Sequence, residues 1–125
     1  MKPVLGLSLI VLGAAMLIGL GLAVANLRPA GERPPLAARL AHGLLGALGL
    51  GVLLLTMGQP AAGANRGVAP FRLDAAVLLG AALLLGLGIL AAVRTAPKFT
   101  GAAIALHAMV AMFGLAILAA YASLG

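Results

Sequence analysis

Two histidines each interrupt a long apolar run, His42 in "LAHGLLGALGLG" (residues 40–51) and His107 in "LHAMVAMFGLAI" (residues 106–117), and the 125-residue chain has no others. An ionisable group inside a membrane span is costly, faces a bundle interior or cavity, and marks a functional site by default. Neutral imidazole is a good metal ligand, and two imidazoles approaching from opposite sides supply the axial pair that a haem iron takes from a protein. The residues around them match that chemistry. Gly46 and Gly49 stand four and seven residues after His42, and Ala111 and Gly114 stand at the same offsets after His107, so each ligand-bearing face is stripped of side chains where a flat macrocycle would lie. Arg39, with Lys98 or Arg94, is placed near the end of a span to meet propionates.

Those side chains need elements to position them. The composition is 64% hydrophobic and 8% charged, with a mean hydropathy of +1.23, far from soluble averages. Spans of about 20 residues cross a hydrocarbon core of about 30 Å, and four runs qualify: residues 4–25, 36–57, 73–93 and 99–121. The intervening "NLRPAGERPPLAAR", "GQPAAGANRGVAPFR" and "RTAPK" carry prolines where helices stop or start. The expected fold is all-α, a single transmembrane domain over 1–125 in which a four-helix bundle is made of two tandem helical hairpins, 1–60 and 70–125.

The tandem reading rests on self-similarity. "LGAAMLIGLGL" at 12–22 aligns without gaps with "LGAALLLGLGI" at 79–89, which sets Gly13, Gly19 and Gly21 opposite Gly80, Gly86 and Gly88. His42 then falls opposite His107, and Gly49 opposite Gly114. The internal counterpart also argues against reading the first span, with its "AVA" at 23–25, as a cleaved secretory signal. Two hairpins in the same orientation are related by a pseudo-two-fold axis along the membrane normal. The histidines should then sit at similar depth, roughly 9 and 12 Å below the starts of their spans.

Charge sets the topology. Arg28, Arg33, Arg39, Arg94 and Lys98 flank the first and third loops, against Lys2, Arg66 and Arg72 on the other side, so the positive-inside rule puts loops 26–35 and 94–98 in the cytoplasm and both termini outside. The expected location is a membrane of the bacterial inner-membrane type. The net charge of +6 comes from eight basic residues scattered singly, which speaks against nucleic acid. With no cysteine there is no disulfide framework or thiolate site. No acidic residue lies deep in a span, which argues against proton-coupled or cationic-drug transport. No hydrolase triad or phosphate loop is present. Asp74 and Arg72 read as anchors at the start of span three. Met16, Met57, Met109 and Met112 read mainly as packing, although Met109 or Met112 could line a cofactor pocket.

Four spans and two "H-x3-small-x2-G" patterns together resemble the small four-helix membrane b-type cytochromes. That resemblance implies one haem b held by His42 and His107 near the cytoplasmic face, with electrons passing to or from a quinone or a neighbouring subunit. The alternative is a non-catalytic accessory subunit of a larger respiratory or photosynthetic membrane complex. Three phenylalanines, one tyrosine and no tryptophan leave an almost empty aromatic belt, as a chain partly covered by partners would have. Glycine-rich spans also occur simply because small residues let helices approach closely. "ARLAH" and "AIALH" further match the A-x3-H of light-harvesting polypeptides, so pigment binding stays open. So does the question of whether the histidine pair closes within one chain or across a homodimer.

Overall fold

The structure, a computed structural model, describes residues 2–26, 34–61, 63–92 and 97–125. Four α-helices follow one another: α1 Lys2–Asn26, α2 Leu36–Leu55, α3 Ala69–Ala92 and α4 Pro97–Leu124. A single turn of 3-10 helix, Ala64–Arg66, lies between α2 and α3, and there is no strand among the described residues. All four helices are long and apolar enough to cross a membrane. No more than 22% of any span is buried inside the protein, so most of each helix presents apolar side chains outward, the pattern of an integral membrane bundle bathed in lipid.

The helices ring a common axis in chain order. α1 packs closely on α2 and α3 on α4, while the two hairpins meet more sparsely through α1 with α4 and α2 with α3. Short connections favour this neighbour arrangement. The ends of the elements follow local chemistry. α3 begins at Ala69, four residues before the expected span, because Pro70 falls in the first helical turn, where a missing N–H costs nothing. α2 stops at Leu55, two residues short of its expected end, where the Thr56 N–H and hydroxyl both donate to the Leu53 carbonyl. α4 starts on Pro97, another first-turn proline, and runs three residues past the expected end to Leu124.

Packing is uneven along the axis. Leu5, Leu12, Leu53, Ala75, Leu79, Leu118 and Tyr121 form a buried core in the half of the bundle that contains both termini. In the other half, across residues 16–26, 36–48, 83–92 and 100–113, no side chain is fully buried. The two histidines lie in that second half.

Candidate functional site: a histidine pair on the bundle axis

His42 is carried by α2 and His107 by α4, which stand diagonally across the bundle. Their ring centroids are 5.8 Å apart, with ring planes at 80°. The pair closes within a single chain. Each ring is held by its own hairpin: His42 Nδ1 donates to the Ala15 carbonyl of α1 at 2.8 Å, and His107 Nδ1 donates to the Ala82 carbonyl of α3 at 2.8 Å. A carbonyl only accepts, so each Nδ1 carries a proton, and in the neutral ring Nε2 then holds the lone pair. No hydrogen bond is made at either Nε2 among the described residues, and no buried side-chain nitrogen there lacks a partner; each Nε2 therefore reaches open space. Anchoring one ring nitrogen on a backbone carbonyl while the other stays free is the usual support of a metal-bound histidine.

The repeat seen in the sequence is realised contact by contact. Ala15 and Ala82, Gly19 and Gly86, and Leu12 and Leu79 are each 67 residues apart, while His42 and His107, like Gly49 and Gly114, are 65 apart. The contacts of Ala15 and Gly19 with His42 and of Leu12 with Gly49 recur in the second hairpin as those of Ala82 and Gly86 with His107 and of Leu79 with Gly114. A Cβ on Gly19 would sit 2.6 Å from His42 Cε1, and one on Gly86 would sit 3.1 Å from His107 Cε1. Gly19 and Gly86 were visible in the sequence as matched positions of the repeat, but only the structure shows that they receive the imidazoles.

The remaining residues divide into those that surround the pair and those that do not. Gly46 has open space where a side chain would stand, and Ala111 is half-buried. A Cβ on Gly49 would sit 2.6 Å from Leu12 Cγ and one on Gly114 2.9 Å from Leu79 Cγ, so these glycines each seat a leucine of the neighbouring helix. Arg39, one turn before His42, is half-buried and donates from Nη2 to the Pro34 carbonyl at 2.9 Å. Arg94 and the side chain of Lys98 lie outside the described residues. Met109 is exposed, and Met112 joins Met16, Leu115, Ala116 and Ala119 along a shallow apolar groove at the seam of α1 and α4.

One charged residue at the far end, Arg72, proved more buried than the sequence implied. Arg72 is only 9% exposed and donates from Nη1 to the Thr56 and Gln59 carbonyls at 2.7 and 3.1 Å. It anchors, as expected, but by tying the start of α3 to the end of α2 rather than by reaching into the interface. Arg66 likewise donates to the Leu124 carbonyl at the end of α4. Asp74, the one acidic residue among those described, is exposed, so the imidazoles are oriented by peptide carbonyls and not by a carboxylate.

The donor set narrows the ligand class. No cluster of three or more metal-binding side chains exists among the described residues, and a bare zinc ion needs three or four protein ligands. Haem iron needs only two, because the porphyrin provides the rest. With metal–nitrogen distances of about 2 Å on each side, two axial imidazoles have ring centres about 6 Å apart, close to the 5.8 Å found. The two imidazoles fit the axial pair of a haem in number and ring spacing. No protein-family model, curated protein or solved structure matches this chain.

Proposed function

We propose that this protein is a membrane-embedded haem b electron-transfer protein or subunit, with His42 and His107 as the two axial ligands. The observation that carries the reading is the convergence of two Nδ1-anchored imidazoles, 5.8 Å apart, from diagonal helices of one bundle. Ala15 and Ala82 hold the ligand tautomer through their carbonyls, Gly46 and Ala111 are small residues one turn after the histidines, and Arg39 lies one turn away towards the membrane surface to meet a propionate. Haem b, when bound, supplies a one-electron ferric–ferrous couple. Since the sparse contact is the one between hairpins, a planar group enters along that seam without disturbing the packing inside either hairpin.

The charge asymmetry of the loops favours placing the histidine half near the cytoplasmic face, with the termini outside. A single haem near one face does not cross the bilayer electronically, so this reading includes a quinone or a neighbouring redox subunit as partner, in a membrane of the bacterial inner-membrane type.

A second reading is favoured by the contacts the imidazoles already make. Each has a carbonyl, a glycine backbone and the other ring as neighbours, which would satisfy a purely structural pair in an accessory subunit. One experiment separates the two. The protein is purified in mild detergent from haem-replete cells, and reduced-minus-oxidised spectra are recorded for wild type, His42→Ala and His107→Ala. The haem reading expects a sharp low-spin b-type band in wild type that is lost in both variants. A colourless, folded wild type overturns it and leaves the structural pair, for which each alanine variant would lose only about 0.6 kcal/mol, the average found for interhelical hydrogen bonds in membranes. A magnesium-chlorin spectrum in place of the haem band would move the pair to pigment binding.

A further inference from the structure

The orientation of the two rings is set as tightly as their position. Each imidazole lies with its Cε1 edge against a glycine of its own hairpin. A Cβ on Gly19 would stand 2.6 Å from Cε1, 3.1 Å from Nδ1 and 3.3 Å from Nε2 of His42; the corresponding distances from Gly86 to His107 are 3.1, 3.5 and 4.0 Å. In both helices the accepting carbonyl, Ala15 or Ala82, belongs to the residue one turn before the glycine. Absence of a side chain at that glycine is what lets the ring edge sit on the helix backbone with Nδ1 in reach of the carbonyl. A hydrogen bond and a steric wall together remove rotation about the bond joining ring to Cβ. Both rings are so fixed, and their planes cross at 80°.

Building on the haem reading above, we propose that Gly19 and Gly86 are positioning residues that hold the two ligand imidazoles crossed. Ligand-plane orientation is an electronic property. Imidazoles with parallel planes both donate into the same iron d orbital of π symmetry and split it from its partner, whereas crossed imidazoles donate into one each and leave the two nearly equal in energy. The crossed arrangement gives a strongly anisotropic ferric low-spin centre.

Low-temperature electron paramagnetic resonance of the full-length, haem-loaded ferric protein tests this. Wild type is expected to show a single isolated low-field feature of the strongly anisotropic type. Gly19→Ala, which forces the pinned His42 ring to turn, should convert it to a three-line rhombic or a high-spin signal. Gly86→Ala, where the contact is 0.5 Å looser (3.1 against 2.6 Å), should move the same feature by less. Gly21→Ala, with nothing within 4 Å of its added carbon, should leave the wild-type signal unchanged, which separates a local effect on the ring from general damage to α1. If Gly19→Ala fails to retain haem, the milder Gly86→Ala decides. A haem-loaded wild type with a rhombic signal, or a Gly86→Ala signal identical to wild type, overturns the positioning role while leaving the haem reading intact. A wild type that binds no haem overturns both.

Discussion

The two ends of the bundle differ in both packing and symmetry. At the histidine end the contacts of Ala15 and Gly19 with His42 recur as those of Ala82 and Gly86 with His107, and no side chain across 16–26, 36–48, 83–92 and 100–113 is fully buried. At the terminal end the core is filled, and the repeat breaks down: Leu5 in the first hairpin stands where Arg72 does in the second, Ser8 where Ala75 does, and Thr56 where Tyr121 does, all six of them buried. Chain connectivity explains the second contrast. The loops at the histidine end both lie within a repeat, so they can be alike, whereas the α2–α3 junction at the other end exists only once. Arg72 spans that junction by reaching back to Thr56 and Gln59. Symmetry survives where two equivalent groups converge on a shared centre and lapses where the fold is closed.

Replacements that make the terminal end symmetric therefore discriminate between symmetry and closure. Arg72→Leu installs the residue found at the equivalent position 5 and should be the most harmful change. Two charge-assisted hydrogen bonds are lost, the Gln59 carbonyl loses its Arg72 donor and the Thr56 carbonyl keeps only the Gln59 N–H, a destabilisation of about 2 to 3 kcal/mol. Thermal or denaturant unfolding in detergent would reveal it, and an unchanged midpoint would mean that closure does not depend on this side chain. A smaller loss is expected where the symmetry is real. Gly49→Ala and Gly114→Ala drive a methyl group into Leu12 and Leu79, and overpacking of this kind costs about 1 to 3 kcal/mol. Because the approach is 2.6 Å at Gly49 and 2.9 Å at Gly114, Gly49→Ala should be the worse of the two in the same assay. The reverse order would show that the second hairpin is the stiffer.

Much of this architecture is legible in the sequence. Four apolar runs of membrane-spanning length, proline-marked breaks and an ungapped internal match are enough for the helices, their number and the pairing of His42 with His107 in depth. What the sequence lacks is helix rotation. These spans are apolar nearly all round, so no hydrophobic stripe marks the inward face. That is why the sequence does not show that Gly49 and Gly114 seat Leu12 and Leu79 of the other helix of their hairpin. Gly19 and Gly86 were hidden for the same reason, matched in the repeat but without a direction. The burial of Arg72 was hidden by the prolines and glycines around it, which mark residues 58–72 as a break and give no sign that α3 already begins at Ala69.

The smallest effect provides the sharpest test. Ser8 is buried and donates from Oγ to the Gly49 carbonyl at 2.8 Å, bridging α1 and α2. Its counterpart Ala75 is equally buried, and the neighbouring Leu79 lies on Gly114 as Leu12 lies on Gly49. If the hairpins are equivalent at this level, Ala75→Ser places a hydroxyl within reach of the Gly114 carbonyl and is neutral or stabilising by about 1 kcal/mol. A hydroxyl buried there without a partner would instead cost about 1 to 3 kcal/mol. The sign of one measured shift in unfolding midpoint thus locates the boundary between the symmetric and asymmetric halves of the bundle: above position 75 if Ala75→Ser destabilises, below it if the variant holds. Together with Arg72→Leu, one turn of α3 away and expected to move in the opposite direction, it would show that the repeat ends within a single helical turn.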